Sequence, residues 1–433
     1  MRKRLLGIIL ALLAPAAVLG QSVKPADLAG DWMLAIERYG ETDYRRMTLQ
    51  AEGDQATVAV FGMKLSGGIR DGKLELRKSG KDGPPVSMTG TAERDGMSGE
   101  FTIETEKGSW KATRIPVRPP NAPREHVFEP KEFHRVFSGA IPPVLHIFPG
   151  DSVKTWSVDA GGVDAKGVRR SLGGNPQTGP FAIEGALPGD TLVVKLTRIR
   201  LNRDTAISGG SIAENALTPG YLQNRKPVEN YNSDWVLDRE KGVARLAKPT
   251  EALKNYTVPL RPILGCVGVA PPGHMVFRSG YLGSFGGNMD YNRLHEGVTL
   301  YLPVYQPGAL LFMGDGHAVQ GDGELTGDAL ETSMDIEFTV DVIPGKSVDM
   351  PRIEDDEYLM AMGIAGSLTE AFQIATTRLA RWLEDDYKLN SSEVSSVLGT
   401  AMRYDIAEVV DPYVNVVAKV PKKALSQIQK AGP

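Results

Sequence analysis

The amino-acid sequence predicts a mainly β protein that ends in helices. Short apolar runs alternate with polar residues along most of the chain, as expected for strands with one buried face. The 48 glycines and 29 prolines among 433 residues separate these runs, which favours many turns over long helices. With 41% apolar residues, a chain of this length can form the cores of two or three domains.

Charge and cysteine content argue against a nucleic-acid-binding protein and against one stabilised by disulfides. The formal net charge is -4 and the body of the chain has no cluster of lysines or arginines, which argues against a nucleic-acid-binding surface. Cys266 is the only cysteine, so no intramolecular disulfide can form. Stability must therefore come from packing, with bound metal as a further candidate.

The first twenty residues have the layout of a secretion signal. Residues 2–4 are basic, residues 5–19 are apolar, and a small residue precedes the expected cleavage before Gln21. The apolar stretch is short and interrupted at Pro15, which argues against a membrane span and leaves an uncleaved anchor as the lesser alternative. We expect residues 1–20 to be removed, and the mature protein to be periplasmic or secreted and free of the membrane.

Residues 24–115 have the pattern of a small antiparallel β-barrel or meander. The strands predicted within it are Tyr44–Leu49, Thr57–Phe61, Lys73–Arg77, Ser87–Ala92 and Gly99–Glu104. Trp32 and Trp110 stand near its two ends, and we expect both to be core residues. Because this segment carries no constellation of charged residues, it predicts an accessory domain. Residues 116–127 predict a proline-rich linker, and residues 128–425 a larger domain.

The stretch from Gly308 to Glu331 holds the densest group of reactive side chains. Its apolar run over residues 309–313 predicts a buried strand. The polar residues that follow are Asp315, His317, Gln320, Asp322 and Glu324. The intervening glycines allow tight backbone paths that turn such side chains toward one point, and histidine with carboxylates is typical of metal and acid–base sites. Solvated hairpin turns share this composition, so the pattern alone leaves both interpretations open.

Five segments in order resemble the acetamidase/formamidase family. They are NPQTGP at 175–180, GCVGVAP at 265–271, GGNMD at 286–290, a strand ending in LPV at 302–304, and GALLFMGDGHAVQGDGE at 308–324. The order and spacing agree over about residues 130 to 425. The secretion signal and the N-terminal β domain are additional to the minimal pattern of that family.

The resemblance implies a fold, an activity and a cofactor. The fold is a jelly-roll-like β-sandwich with an α+β portion, and the activity is hydrolysis of a linear amide, such as formamide or acetamide, to carboxylate and ammonia. Metal ions accompany some members, so we expect a divalent cation, with Zn²⁺ and Ca²⁺ as candidates. The positions it marks are Asn175, Thr178, Asn288, Asp290, Asp315, His317, Gln320, Asp322, Glu324 and Glu331. We expect a homo-oligomer that acts on a small-molecule amide.

Amide hydrolysis needs an activated nucleophile, a stabilised oxyanion and a proton for the leaving amine. A divalent metal would meet the first two needs, and His317, Asp315 and Asp159 are its candidate ligands. Glu324 or Asp290 would then move the proton, and these two with His317 are the expected catalytic residues. The expected substrate-binding residues are Asn175, Thr178, Asn288 and Gln320.

Three alternatives remain open on the sequence. Cys266 could act as a covalent nucleophile, although its apolar neighbours are typical of an inert buried thiol. The same fold could serve as an exported ligand-binding or scaffold protein. A different C–N bond could be the one cleaved, with the N-terminal domain choosing the substrate. His295 follows GGNMD closely enough to line the same pocket.

The C-terminal part carries the clearest helical patterns. Ser367 with Glu370, and Asn390 with Glu393, have the spacing of capping boxes at two helix starts. We expect both helices to have packing roles. By contrast, residues 202–255 are polar and lack clear periodicity, which predicts an irregular insertion.

Overall fold

The computed structural model describes residues 24–53, 55–60, 62–78, 83–120, 123–226 and 232–428. The chain divides into two compact units, Met1–Arg114 and Ile115–Pro433. Strands dominate both, so the predicted mainly β fold class is confirmed. The segment expected to be a secretion signal lies outside the described residues. No helix in the described part of the chain combines the length and apolar character needed to cross a membrane.

The described part of the first unit is a closed antiparallel barrel. Its strands are β1 Gly30–Arg38, β2 Glu41–Glu52, β3 Gln55–Val60, β4 Met63–Arg70, β5 Lys73–Lys78, β6 Val86–Glu93, β7 Gly96–Ile103 and β8 Glu106–Arg114. Each strand pairs with the next, and β1 closes the ring on β8. A 3-10 helix, Pro25–Leu28, precedes β1. This is the small barrel that the alternating pattern predicted.

Both barrel tryptophans are buried, as predicted. The indole N–H of Trp32 donates to the carbonyl of Leu28 at 2.9 Å, and that of Trp110 donates to the carbonyl of Glu100 at 3.0 Å. Their polar atoms are therefore satisfied inside the barrel, which leaves the rings free to fill its core.

The second unit contains the remaining strands and helices. Its strands are β9 Glu125–Val127, β10 Val136–Ser138, β11 Leu145–Ile147, β12 Ser152–Ser157, β13 Gln177–Ile183, β14 Thr191–Leu201, β15 Thr205–Gly209, β16 Asn232–Asp238, β17 Val243–Leu246, β18 Thr257–Pro259, β19 Ile263–Val269, β20 Val276–Arg278, β21 Leu282–Gly283, β22 Gly286–Asn288, β23 Thr299–Pro303, β24 Leu311–His317, β25 Glu331–Thr332, β26 Met334–Ile343, β27 Arg352–Glu354, β28 Tyr358–Ala365, β29 Arg403–Glu408 and β30 Val414–Pro421. Its helices are α1 Pro219–Asn224, α2 Leu368–Tyr387, α3 Ser391–Ala401 and α4 Lys422–Leu425, with 3-10 helices at Glu214–Ala216 and Glu251–Leu253.

Two large sheets form the body of this unit. The larger follows the order β18-β17-β16-β15-β25-β24-β19-β22-β21, with β13 joined to β24 and β11 joined to β13. The other follows the order β29-β30-β28-β27-β23-β14-β26-β12-β9. One apolar core draws on both sheets: Phe181 of β13 meets Phe338 of β26 with ring centroids 5.3 Å apart. Two sheets over a shared core make the predicted sandwich.

The C-terminal helices pack on the second sheet. Buried residues of α2, including Leu379 and Trp382, share an apolar cluster with β28 and β30. Ser367 caps α2 by accepting the N–H of Glu370 at 3.2 Å, while Asn390 and Glu393 form a full capping box for α3. Both predicted helix starts are therefore confirmed.

The expected irregular insertion is more ordered than the sequence indicates. Within residues 202–255, β15, β16 and β17 extend the larger sheet. These strands are four to seven residues long. Runs this short give little periodicity to detect. Strand β15 joins them to the rest of the sheet, because Ile207 pairs with Glu331 of β25.

Candidate active site

Strand β24 carries the predicted centre of the protein. On one side it pairs with β19, where Ile263 lies opposite His317, and on the other with β25, where Glu331 lies opposite His317. Asp315 and His317 are two positions apart, so they project toward the same side of the strand. All seven residues of β24 are buried, which makes it a rigid mount for both side chains.

Four buried carboxylates surround Nε2 of His317. The nearest oxygens of Glu331 and Asp315 lie 3.1 and 3.5 Å from this atom. Those of Asp290 and Glu324 lie 3.9 Å away. The five side chains come from β24, β25, the residues after β22 and the connection between β24 and β25. The structure thus brings together the three residues expected to be catalytic, two of the three expected metal ligands and Glu331, with His317 belonging to both expected sets.

Gln320 determines which nitrogen of His317 faces these carboxylates. Its side-chain amide N–H groups donate to the main-chain carbonyls of Asp290 at 2.5 Å and Ala407 at 3.3 Å. Its Oε1 is therefore the acceptor, and it receives the Nδ1–H of His317 at 2.9 Å. In the neutral imidazole the lone pair then sits on Nε2, directed at the carboxylates. Gln320 positions the histidine rather than reaching for a substrate.

Two asparagines tie the carboxylates together. Nδ2 of Asn175 donates to Asp315 at 2.9 Å and to Oδ1 of Asn288 at 2.8 Å. Nδ2 of Asn288 donates in turn to Asp290 at 2.5 Å and to Asp411 at 2.8 Å. Asn175 and Asn288 were expected to bind substrate, and in the structure their side-chain N–H groups hold carboxylates in position.

Asp411 is a site residue that the sequence interpretation missed. It lies in the turn between β29 and β30, is only partly buried, and is joined to the cluster through Asn288. Burial raises the pKa of its carboxyl to about 6, against the opposing effect of the hydrogen bond from Asn288. No motif surrounds this position in the sequence, so no local signal could have found it.

The cluster holds more negative than positive groups, and this excess shifts its pKa values. Burial alone would lower the pKa of His317, but Glu331 and Asp315 outweigh it and raise the pKa well above its usual value. Burial raises the pKa of Glu331 to about 8, although His317 opposes the shift. Burial, followed by the neighbouring carboxylates Glu324 and Asp315, raises the pKa of Asp290 well above its ordinary value.

The same residues fit a divalent cation. Asp290 Oδ1, Asp315 Oδ1 and Glu331 Oε2 are buried and have no hydrogen-bond partner within the described residues. The ligand atoms of Asp290, His317 and Glu324 all lie within 4.8 Å of one another, and so do those of Asp315, His317 and Glu331. Buried carboxylate oxygens without partners are costly, and a cation among them would remove that cost.

The backbone is shaped around this cluster. Asn175, Asp290, Asp315 and Glu324 have φ angles from 39° to 59°, in the left-handed region that non-glycine residues rarely adopt. Such strained positions persist where the surrounding structure holds them and are common at functional sites. Gly265 of β19 faces the same space, because a Cβ there would lie 2.4 Å from Oδ1 of Asp290. Only a residue without a side chain fits at this point.

The structure does not bring two of the expected residues into the cluster. The carboxylate of Asp159 accepts from Arg203 at 2.5 Å and from the N–H of Val163 at 2.8 Å, and it belongs to neither group of possible metal ligands. The hydroxyl of Thr178 donates to the carbonyl of Trp156 at 2.9 Å, and the residue is fully buried. A strand end next to a glycine pair predicted a site at Asp159, but the carboxylate there is satisfied by a buried arginine.

The remaining candidates have structural partners. Asp322 is exposed and accepts from Asn292 at 2.7 Å. The Nδ1–H of His295 donates to the adjacent carbonyl of Glu296 at 2.7 Å. Cys266 is fully buried and its S–H donates to the carbonyl of Ser279 at 3.3 Å. Burial, with the nearby carboxylates, raises the pKa of this thiol well above its usual value, so the reactive thiolate is disfavoured.

A protein-family model and two curated relatives match part of this chain. The model of the Acetamidase/Formamidase family matches residues 283–425. A formamidase from Methylophilus methylotrophus is 28% identical over 189 residues, which make up 34% of this chain and 46% of that protein. The chain spans about half the length of the curated relatives it matches.

Two solved structures resemble a large part of this chain. An acetamidase from Yersinia enterocolitica aligns with a TM-score of 0.60 and 29% identity, covering 71% of this chain and 94% of its own. A structure from Thermoanaerobacter tengcongensis, described as a predicted acetamidase/formamidase, aligns with a TM-score of 0.60 and 26% identity, covering 71% and 99%.

Proposed function

The chain belongs to the acetamidase/formamidase family, and from this premise we propose that it hydrolyses a linear amide to a carboxylate and ammonia. The observation that carries the proposal is the convergence of four buried carboxylates on Nε2 of His317. Short amides such as formamide and acetamide are the substrates we propose to test first.

We assign a divalent cation to Asp315, His317 and Glu331. Among the four carboxylates, Glu331 and Asp315 come closest to Nε2, and each has one oxygen without a partner in the described part of the protein. An imidazole ligand favours Zn²⁺ over Ca²⁺, because Ca²⁺ binds oxygen atoms almost exclusively. When bound, such a cation lowers the pKa of a water molecule and polarises a carbonyl group.

Asp290 and Glu324 are then left to move the proton. Their oxygens lie further from Nε2, at 3.9 Å. Burial raises the pKa of both carboxyls well above the ordinary value, so that either can hold a proton near neutral pH. One of them takes a proton from the attacking water and delivers it to the amide nitrogen as the C–N bond breaks. The water oxygen ends in the carboxylate, and the nitrogen leaves as ammonia.

Asn175 and Asp411 mark the side from which a substrate enters. Both are partly exposed, whereas the other residues of the cluster are buried. Oδ1 of Asn175 has no hydrogen-bond partner among the described residues, so it is free to accept an N–H of the substrate amide. This role uses the acceptor of Asn175, whereas its donor groups hold Asp315 and Asn288.

The test is ammonia release from formamide, acetamide and larger amides by the mature protein. We expect release to stop after chelation and to return when one divalent metal is added back. Glu324→Gln should lower kcat by about 100-fold or more, since a carboxamide cannot move the proton. Asp322→Asn is the matched control, because Asp322 is exposed in the same segment and should leave turnover unchanged.

A negative result in this assay would favour another function. If the metal-loaded protein releases ammonia from no amide in the panel, an exported ligand-binding protein or a different C–N substrate becomes the better interpretation. We further propose that residues 1–20 are a cleaved secretion signal, that the barrel is an accessory domain influencing substrate choice, and that the protein is a homo-oligomer. Cell fractionation, N-terminal sequencing and light scattering test these points.

A further inference from the structure

A separate cavity of about 300 Å³ lies where α2 meets the second sheet. Its lining includes Trp382 from α2, Tyr301 from β23 and Arg352 from β27. The rings of Tyr301 and Trp382 meet edge to face with centroids 6.0 Å apart. None of these residues takes part in the candidate active site. The cavity is at the small end of the range for ligand pockets, which indicates a small ligand.

The other charges that line this cavity neutralise one another. Nζ of Lys346 lies 2.6 Å from Asp386, and Nζ of Lys422 lies 2.6 Å from Glu354. Both acids have a second partner as well: Asp386 accepts the indole N–H of Trp382 at 2.8 Å, and Glu354 accepts a phenol O–H at 3.2 Å. Each acid is thus committed to its lysine and to a ring on the cavity wall.

Arg352 is the charged residue of the cavity lining that has no ion-pair partner among the described residues. Its Cζ lies 4.9 Å from the centroid of the Trp382 ring, and its guanidinium has no hydrogen bond or ion pair with any described residue. Burial lowers the pKa of Arg352, against the attraction of Asp386, Asp385 and Asp349, and none of these carboxylates is within hydrogen-bond or ion-pair distance of its guanidinium. A guanidinium over an indole keeps its in-plane N–H groups available to an acceptor such as a carboxylate.

We infer that this cavity binds a small organic carboxylate, with Arg352 pairing its charge and the rings of Trp382 and Tyr301 packing on its apolar body. The unpaired guanidinium supplies a fork that matches the two oxygens of a carboxylate. The aromatic walls favour a ligand with a short hydrocarbon or aromatic part over a bare inorganic anion. This site does not depend on the amide hydrolysis proposed above.

The test is calorimetric titration of the full mature protein with sodium benzoate. Benzyl alcohol serves as the uncharged probe of similar shape, and sodium acetate and inorganic phosphate as anions without an aromatic body. We expect benzoate to bind one site per chain at least about tenfold more tightly than benzyl alcohol, and more tightly than acetate or phosphate. Arg352→Gln should weaken benzoate by at least about tenfold, and Arg352→Lys by less.

Arg381→Gln is the matched control. Arg381 extends from the same helix, is largely exposed and lies 3.6 Å from Asp349, so its loss removes a nearby positive charge without touching the cavity. Thermal melts of each variant show whether it folds, and benzoate should raise the melting temperature of every folded variant that keeps Arg352. Equal binding of benzoate and benzyl alcohol would overturn the inference. It would also be overturned if a folded Arg352→Gln or Arg352→Lys variant kept its full affinity for benzoate, or if Arg352→Gln and Arg381→Gln lost affinity equally.

Discussion

Replacing Gly265 with alanine should disable the carboxylate cluster while leaving the fold largely intact. The added Cβ would lie 2.4 Å from Oδ1 of Asp290, 2.7 Å from Cε1 of His317 and 3.0 Å from Oδ2 of Asp315. Unstrained contacts to carbon begin near about 3.5 Å, so Asp290 must move by about 1 Å. Gly265 is not at a positive φ, so the cost arises from space rather than from backbone strain.

Two magnitudes follow from that displacement. Overpacking at a site of this kind costs about 1–3 kcal/mol of stability, which a two-sheet core of this size should survive. His317 must also shift by about 0.8 Å, because its Cε1 would lie 2.7 Å from the added Cβ. Ligand atoms of a metal site must hold their distances to within about 0.2 Å, so the shift of His317 removes at least this ligand. A displacement of that size at a reacting group costs about 100-fold in rate. We therefore expect Gly265→Ala to fold, to bind metal substoichiometrically and to lose about 100-fold in kcat/KM.

Elemental analysis of metal content, kcat/KM and thermal melts together make the test. Gly268→Ala lies on the same strand, but its Cβ would meet the N–H of Gly287 at 2.6 Å, away from the cluster, so it should lose stability and keep its metal. Gly280→Ala has nothing within 4 Å and should change neither. Stoichiometric metal and unchanged kcat/KM in Gly265→Ala would refute the reasoning, because the carboxylates could then not be packed as tightly as they are here.

Three further changes test other parts of the structure. Gln320→Leu leaves Nδ1–H of His317 without its acceptor and should weaken metal affinity by about 10–100-fold, measured by competition with a chelating dye. Cys266→Ala should keep kcat within about twofold while lowering stability by about 1–2 kcal/mol; a loss of turnover in a folded variant would restore the covalent mechanism. Burial opposes ionisation of Asp151, but N–H donors and His126, 3.0 Å away, outweigh it and hold the pKa of this carboxyl below its usual value. The stabilisation from Asp151 should be present above its unfolded pKa and lost as pH falls through the lower folded pKa. In urea denaturation, Asp151→Asn should therefore be less stable than the unmodified protein at neutral pH, and the difference between the two should shrink in acid. Stability curves that run parallel for the two proteins across this pH range would contradict this.

Features of the fold that depend on neighbouring residues could be predicted from the sequence. The barrel strands alternate buried and exposed positions. At the start of α2 and again at the start of α3, the capping side chain accepts the N–H of the residue three positions later. The apolar run at 309–313 similarly located β24, because a buried strand leaves a continuous apolar signal. In each of these cases the physical cause and the resulting structure lie within one short segment.

The composition of the site depends instead on residues far apart in the chain. Asn175 reaches Asp315 across 140 positions, and Asn288 reaches Asp411 across 123, through pairings that only the folded sheet creates. The sequence placed Asn175 and Asn288 within family-like motifs, but it did not show that their side-chain N–H groups would donate to carboxylates. Since those donors are used, they cannot also stabilise a developing oxyanion, and that task falls to the cation proposed beside His317. Chelation should therefore abolish turnover rather than slow it, whereas loss of Asp411 should perturb Asn288 and leave residual activity.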